Sequence, residues 1–272
     1  MHEYCQSAGV ARPLRSLPMP LELTVVDAFT DEPFRGNPAA IAILDAFPPD
    51  ERMRTIAREM NLSETAFCVL RADGDYDLRW FTPAVEVDLC GHATLAAAHL
   101  LGGDAAFHTR SGVLTCRAAQ GGWIAMDFPA DTPSQRERRA TLPFDDVKWF
   151  GEGRSDVLIE VASAASVRGY RPDLEALAAL GGRCVIVTAA GDRDGIDCVS
   201  RVFGPNVGIP EDPVTGSAHC LLAVYWSERL GRDDLVGEQA SARGGIVRMK
   251  HAGDRVHLAG QAVTVSRVRL LV

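Results

Sequence analysis

The amino-acid sequence predicts an α+β protein with two homologous lobes, each a barrel-like, mainly antiparallel sheet wrapped around a central helix. The first reason is a repeated turn, because "DLCGHATLAAAH" at 88–99 and "EDPVTGSAHCLLAVYW" at 211–226 both lead from a glycine into an apolar run. The second reason is that predicted strands outnumber predicted helices in both halves. The third is that each half offers one helix that is apolar on nearly all sides, which is typical of a buried helix.

The first half begins near Leu21 with a β-rich segment, and a turn leads from it into a second apolar run. Apolar residues recur at helical spacing over 50–60, which predicts an amphipathic helix. The elements that follow are a strand at 64–70, a hairpin through the turn at 73–75, a helix from Gly91 to the glycines at 102–103, and a hairpin over 112–130.

The second half repeats this order. Its elements are a short helix at 171–182, a strand at 184–190, a turn at 191–195, a strand at 196–205, a helix from Gly216 to about Leu230, and closing strands at 244–250 and 255–265. Gly91 and Gly216 are 125 positions apart, and the strands that begin near 65 and 184 are 119 positions apart. Two copies at this spacing indicate two lobes, because a solenoid needs three or more repeats.

These patterns predict four regions along the chain: a loose N-terminal extension (1–20), an N-terminal lobe (21–130), a crossover region (131–160) and a C-terminal lobe (161–272). The crossover region is rich in proline and charge, and its basic cluster "RERR" is interpreted as a solvated loop. We also expect that the N-terminal strand can exchange between the lobes.

Composition excludes several functional classes. The formal net charge of −8 argues against nucleic-acid or anionic-membrane binding, because both need basic patches. The seven cysteines are scattered and form no C-x-x-C pair, which indicates a reducing compartment rather than disulfides or a zinc site. The sequence has no apolar stretch of membrane-spanning length and no signal-peptide core in its first twenty residues, so we expect a cytoplasmic protein.

The two glycine turns are candidate anion-binding sites. A helix N-terminus exposes unpaired N–H groups and a partial positive charge, and glycine lets a ligand approach the backbone. If the turns at Gly91 and Gly216 converge on one cleft, they would bind a carboxylate without a cofactor. The alternative is that each turn merely caps a buried helix. Further side-chain donors at these turns are His92, Thr94, Thr215 and Ser217.

No cofactor or metal ion is expected. The sequence has neither a P-loop nor a G-x-G-x-x-G motif after a strand, so nothing predicts a nucleotide. His92 and His99 lie at i and i+7 on one helix face, but no third ligand has a useful spacing.

Four segments resemble the phenazine-biosynthesis isomerase (PhzF-like) family. They are "VDAFTDEPFRGNPAAIAIL", "NLSETAF", "RWFTPAVEVDLCGHATLAAAHLL" and "GIPEDPVTGSAH", and the likeness runs from about Leu21 to near 265. The resemblance implies the diaminopimelate epimerase fold, in which two similar lobes hold the active site between them. That fold agrees with the repeat, and a homodimer is common in such families.

The resemblance also implies the site residues. Glu64 in "SETAF" matches the catalytic glutamate, a general acid/base, and His92 and Asp212 match its polar partners. The residues that the resemblance and the glycine turns place at the substrate are Asn37, Cys90, Gly91, Thr215, Gly216 and Ser217. From sequence alone, Glu64 could equally cap or bridge, and an acid at 212 could also cap the second helix.

Cys90 separates two enzymatic hypotheses. In epimerases of this fold a cysteine at the matching turn removes the α-proton, and a second cysteine lies in the mirror turn. Here the mirror turn reads "PVTGSA", and Cys220 lies later, within the helix. We therefore predict a cofactor-independent isomerase that moves a proton next to a carboxylate of a small metabolite. The alternatives are an amino-acid racemase or epimerase that uses Cys90, and a non-catalytic metabolite-binding protein.

Overall fold

A computed structural model describes residues 20–137 and 142–271. Almost all of the predicted N-terminal extension, and part of the "RERR" cluster, lie outside the described residues. Among the described residues no helix is long and apolar enough to cross a membrane. The six described cysteines are all buried and free.

In the described part of the first half, residues 20–130, there are eight strands and two α-helices. They are β1 (Leu21–Ala28), β2 (Asn37–Leu44), α1 (Asp50–Met60), β3 (Glu64–Leu70), β4 (Tyr76–Phe81), β5 (Glu86–Val87), α2 (Gly91–Leu100), β6 (Ala105–Thr109), β7 (Gly112–Ala118) and β8 (Ile124–Pro129). The helix predicted over 50–60 is α1. The sequence prediction missed β6, because its sequence "AAFHT" is short and ends in two polar residues.

The described residues of the second half, 131–137 and 142–271, form ten strands and three α-helices. They are β9 (Ser134–Gln135), β10 (Val147–Glu152), β11 (Val157–Val161), α3 (Ala164–Gly169), α4 (Leu174–Ala179), β12 (Val185–Ala190), β13 (Cys198–Gly204), β14 (Ile209–Asp212), α5 (Gly216–Leu230), β15 (Asp234–Gln239), β16 (Gly245–Ala252), β17 (Arg255–Gly260) and β18 (Ala262–Leu270). The region predicted as a crossover, 131–160, thus contributes strands to the sheet. The single run predicted over 255–265 is two strands, separated at Gln261.

Strand pairing repeats between the halves, as two homologous lobes require. In the first half β2–β3 and β4–β6 are parallel, while β3–β4, β6–β7 and β7–β8 are antiparallel. In the second half β11–β12 and β13–β15 are parallel, while β12–β13, β15–β16 and β16–β17 are antiparallel. In the first half α2 leads into β6, and in the second half α5 leads into β15. Each of these strands completes the second parallel pair of its half.

Two strand pairs join the lobes into one continuous sheet. β8 pairs antiparallel with β17, and the last strand, β18, pairs antiparallel with β1. β1 also pairs with β2 of its own half. The last strand, β18, therefore belongs to the second half in sequence but pairs with the first half.

The central helices form the core of each lobe. α2 is buried from Gly91 to Ala98 and contacts β1, β2, β3 and β8. α5 is buried over most of its length and contacts β15, β16 and β17. Because both helices are apolar on nearly every side, they stay buried under curved sheets rather than lying on a surface. α1 buries only one face, through Met53, Ile56 and Ala57, and packs outside the sheet.

Candidate active site

The N-termini of the two central helices meet at their glycines. A Cβ added at Gly91 would lie 3.3 Å from Cα of Gly216, and a Cβ at Gly216 would lie 3.3 Å from Cα of Gly91. Neither glycine is needed for a left-handed backbone, because neither has a positive φ. Both glycines therefore permit the close approach of two helices from different lobes. We call the turn Cys90–His92 the first helix mouth and the turn Thr215–Ser217 the second helix mouth.

Neither helix mouth is capped by the side chain of its N-cap residue. Cys90 and Thr215 make no side-chain hydrogen bond to their helices. The short helices α3 and α4, in contrast, are capped conventionally by Ser163 and Asp173, whose side chains accept from backbone N–H groups. The mouths of the buried helices thus leave N–H groups and two partial positive charges available to an anion.

Glu64 lies beside the first helix mouth. It is the first residue of β3, and its side chain is 12% exposed. Its Oε2 atom lies 3.1 Å from Nε2 of His92. The ring N–H does not point along this line, since Nε2 makes no hydrogen bond within the described protein. The contact is therefore a close pairing of a carboxyl with an imidazole rather than a linear hydrogen bond.

Asn37 joins the first lobe to Asp212 of the second. Its side-chain amide donates to Oδ1 of Asp212 at 2.8 Å and to the backbone oxygen of Val214 at 2.8 Å. These two bonds use both amide hydrogens, although Nδ1 of His92 lies only 3.3 Å away. Two oxygen acceptors thus fix the orientation of Asn37, and its amide has no hydrogen left for Nδ1 of His92.

Asp212 is held from its own lobe by Thr215 and Gln239. The Thr215 hydroxyl donates to Oδ2 of Asp212 at 2.5 Å. The fully buried Gln239 accepts from the Thr215 N–H at 2.8 Å and donates to the backbone oxygen of Asp212 at 2.7 Å. Asp212 therefore does not cap α5, as the sequence alone had allowed. Nothing in the sequence near Gln239 indicates its role, because its partners come from a turn 24 to 27 residues away.

Burial and neighbouring charges alter the acidity of this cluster. Burial, together with the charge of Glu64, raises the pKa of Asp212 to about 6, and His92 opposes that rise. A carboxyl with a pKa near 6 is present in both protonation states close to neutral pH. Asp212 is thus able to hold a proton that an ordinary surface aspartate would have lost.

Cys90 contacts the other side of the His92 ring. Its Sγ atom lies 3.5 Å from Nδ1 of His92. Burial, and then the charge of Glu64, raise the pKa of the Cys90 thiol. Burial acts to lower the pKa of His92, but the charges of Cys90 and Glu64 outweigh it and the pKa rises.

Two groups of side chains have the donor types of a metal site. Donor atoms of Glu64, Cys90 and His92 all lie within 4.8 Å of one another. Glu64 and Cys90, however, contact opposite nitrogens of the imidazole, so an ion among them would have to replace the contacts seen. His99 takes no part, since its Nε2 lies 3.2 Å from Oγ1 of Thr264. The second group, Asp73, Asp75 and His108, is a surface network in which His108 contacts Asp75 at 2.9 Å.

Two predicted donors do not face the Glu64 cluster. Thr94 is fully buried and its hydroxyl donates back to the Cys90 carbonyl at 2.5 Å, so it is not available to a ligand. Ser217, at the second helix mouth, contacts Arg183 instead, and its hydroxyl accepts from Nη2 of Arg183 at 2.8 Å. Arg183 also donates from Nε and Nη2 to the two carboxylate oxygens of Asp156, at 3.0 and 2.6 Å.

Ser217 and Arg183 line a cavity of about 150 Å³, which we call the Arg cleft. Sequence reasoning missed Arg183 and Asp156. The repeat itself carried a signal for Arg183, because it lies 119 positions after Glu64 and closely precedes β12, as Glu64 begins β3. Further side chains that line the Arg cleft are Leu89, Phe128, Asp131 and Arg154.

The fold is of the PhzF-like and diaminopimelate epimerase-like type. Residues 26–268 match the family described as "Phenazine biosynthesis-like protein" (PhzC-PhzF). The chain is similar to an uncharacterized isomerase of Halalkalibacterium halodurans, with 45% identity over 93% of this chain and 100% of that protein. It is 50% identical to an uncharacterized isomerase of Pseudomonas aeruginosa, over 89% of this chain and 96% of that protein.

Solved structures agree. A PhzF-family protein from Enterococcus faecalis superposes with a TM-score of 0.87 and 39% identity, over 92% of this chain and 99% of that chain. A hydroxyproline epimerase from Agrobacterium vitis, at 12% identity and a TM-score of 0.63 over 93% of both chains, shares the fold alone. The chain belongs to the PhzF family of phenazine biosynthesis-like proteins.

Proposed function

We propose that the protein is a cofactor-independent isomerase that moves a proton next to a carboxylate of a small metabolite. The observation that carries this proposal is the contact of Glu64 with His92, 3.1 Å long, directly beside two uncapped helix mouths. A carboxyl able to move a proton thus lies next to N–H groups able to hold an anion. Two relatives are named as uncharacterized isomerases, which supports the reaction class.

The substrate carboxylate binds at the paired mouths, where N–H groups of both helices stabilise the negative charge that develops when a neighbouring C–H bond breaks. Glu64, as a carboxylate, takes that proton, and the electron pair of the C–H bond forms a new double bond. The protonated Glu64 then returns the proton to a second carbon as the old double bond shifts. Atoms and electrons balance, and no oxidant or reductant is consumed.

His92 and Asp212 act around Glu64. His92 orients the Glu64 carboxyl through the contact at Nε2. Asp212, with a pKa of about 6, offers a second carboxyl that can donate or accept a hydrogen bond near neutral pH. Because Asn37 bonds Asp212 across the lobes, closure of the lobes assembles the cluster and excludes water.

Deuterium incorporation tests the proposal with a panel of acids rather than one chosen substrate. The protein is incubated in D₂O with small unsaturated and hydroxylated carboxylic acids, and NMR measures exchange at carbon. We expect exchange with at least one acid, and a loss of at least about a hundredfold in Glu64→Gln. Glu59→Gln, on the exposed face of α1, is the matched control and should leave exchange unchanged. Undiminished exchange in Glu64→Gln would remove Glu64 from its assigned role.

The racemase alternative has one observation in its favour, the contact of Cys90 with Nδ1 of His92 at the N-cap of α2. If that alternative holds, α-carbon exchange is lost in Cys90→Ala and kept in Glu64→Gln. The binding-protein alternative predicts tight binding of an acid with no exchange at any carbon.

The proposal also covers the boundaries of the lobes, the cellular location and the oligomeric state. It includes lobes that divide near residues 130 and 160, a cytoplasmic location, and a homodimer. Six buried free cysteines support a reducing compartment. Light scattering of the purified chain, which should give twice the mass of one chain, tests the homodimer.

A further inference from the structure

We propose that the Arg cleft binds a second carboxylate of the substrate, so that the substrates of this protein are small diacids. This inference rests on the proposed function, since it describes the other end of the same substrate. It concerns Arg154 and Arg183, which neither the repeat nor the glycine turns assign to substrate.

Arg183 is fixed in a position from which it can bind an anion. Its Nε and Nη2 atoms bond Asp156, whose side chain is only 4% exposed. Nη2 also donates to Ser217, so both of those nitrogens have partners. The side chain of Arg183 remains 40% exposed, and no described residue accepts a hydrogen bond from its Nη1 atom. A guanidinium held by a carboxylate on one edge and open on the other is pre-organised for a second carboxylate.

Arg154 supplies a second guanidinium. Its side chain is exposed, and it forms no ion pair with any residue in the described parts of the chain. Asp131, the nearby acid, accepts the backbone N–H of Arg154 at 2.8 Å rather than its guanidinium. The other acid, Asp156, is turned inward and also accepts from the Cys184 N–H at 3.1 Å. The formal charges of the two arginines and two aspartates that line the cavity cancel. Both aspartates, however, already accept hydrogen bonds from the protein, whereas Nη1 of Arg183 and the guanidinium of Arg154 have no hydrogen-bond partner among the described residues.

The remaining walls fit a short carbon chain. Leu89 and Phe128, from the first lobe, form an apolar side of the cavity. Ser217 connects the Arg cleft to Gly216, which contacts Gly91 at the first helix mouth. A volume of about 150 Å³ leaves room for one carboxylate with one or two methylene groups. A diacid could thus place one carboxylate at the helix mouths and the other against the two arginines.

Matched pairs of acids test this inference by isothermal titration at low ionic strength. Succinate is compared with butyrate, and glutarate with pentanoate, because each pair shares its chain length and differs in one carboxylate. We expect one diacid to bind at least about tenfold tighter than its partner. Arg154→Gln should reduce that preference about tenfold and leave monoacid binding unchanged. Arg171→Gln, an exposed arginine that does not line the Arg cleft, is the control and should change neither.

Arg183 needs a different variant, because removing it alone would leave Asp156 buried without its partner. The pair Asp156→Asn with Arg183→Gln keeps the site neutral, and its fold is checked by circular dichroism. It should also lose the diacid preference. Equal binding of diacids and monoacids, or a preference that survives in both variants, overturns the inference. Failure of the proposed isomerase function gives a different result. In that case no acid undergoes exchange at carbon, while the protein, including its Glu64→Gln variant, still prefers the diacid.

Discussion

The first and second helix mouths are alike in backbone and opposite in chemistry. Each begins a buried helix with a glycine, and each lacks a side-chain cap. At the first mouth His92 meets the carboxyl of Glu64, whereas at the corresponding position of the second mouth Ser217 meets the guanidinium of Arg183. The duplicated scaffold thus supplies two similar turns, and side-chain differences place a carboxyl beside an imidazole at one turn and a guanidinium beside a hydroxyl at the other.

This difference explains why the internal repeat predicts the place of the site but not its mechanism. The backbone N–H groups belong to the repeat, while the contact between Glu64 and His92 belongs to one copy. Asp212 is the exception, because it comes from the second lobe and yet bonds Asn37 of the first across 175 positions of sequence. The first mouth is therefore completed only when both lobes are in place.

The largest effect on both mouths is expected from Gly91→Ala. Its methyl group would lie 3.3 Å from Cα of Gly216, so the two helices must separate by a few tenths of an ångström. We expect a loss of exchange activity of about a hundredfold, because displacements of this kind disturb a reacting geometry. Thermal unfolding should show a destabilisation of about 1–3 kcal/mol. Gly169→Ala, where no atom lies within 4 Å, is the control. Equal behaviour of the two variants would show that the mouths need no close contact.

Asp212→Asn separates stability from activity at the first mouth. The pKa of Asp212 is about 6 in the folded protein, above the value of about 3.9 expected when the chain is unfolded. The folded state therefore binds this proton more tightly, so the stability that protonated Asp212 contributes is fully present below about pH 4 and is lost as the pH rises to about 6. The variant should be about 3 kcal/mol more stable at about pH 7.5 and no more stable below about pH 4.

Urea unfolding at the two pH values measures this gain in stability. The exchange activity of the same variant should fall. The exposed Asp194→Asn is the control and should show no pH-dependent gain. A gain that is the same at both pH values would mean that Asp212 is not the group responsible.

Ser217→Ala should have the smallest effect and act only at the second mouth. Arg183 loses one acceptor but keeps both oxygens of Asp156, so the free energy of unfolding should change by less than about 0.5 kcal/mol. Binding of a diacid should weaken about fivefold, since the hydroxyl orients Arg183 and offers its own hydrogen. Titration calorimetry measures this change, with Ser266→Ala on β18 as the control. Destabilisation above about 2 kcal/mol would instead indicate that Ser217 is a structural residue.

Much of the fold could be predicted because its signals are local. Two glycine turns 125 positions apart and two helices without a polar face identify the lobes and their centres. Two of the strands that were missed, β6 and β15, occupy the same place in the two copies. Both pair in parallel with a strand that lies far earlier in the sequence, which supports them even though their own residues are not strongly apolar.

The site could be predicted only where a motif marks it. Glu64, His92 and Asp212 were found through their resemblance to a family, and the structure brings them together. Gln239 and Arg183 were not found, because their roles depend on contacts between strands and turns that are distant in sequence. The lack of side-chain caps on α2 and α5 could not be read from sequence either, since Cys90 and Thr215 occupy positions where a cap could form.

A crystal structure with bound succinate tests most directly whether the two mouths hold opposite ends of one ligand. We predict one carboxylate against Arg154 and Arg183, the other at the contact of Gly91 with Gly216, and a methylene group beside the Glu64 carboxyl. Succinate with both carboxylates outside the cleft between the lobes, or with Glu64 facing away from its carbon chain, would contradict this account.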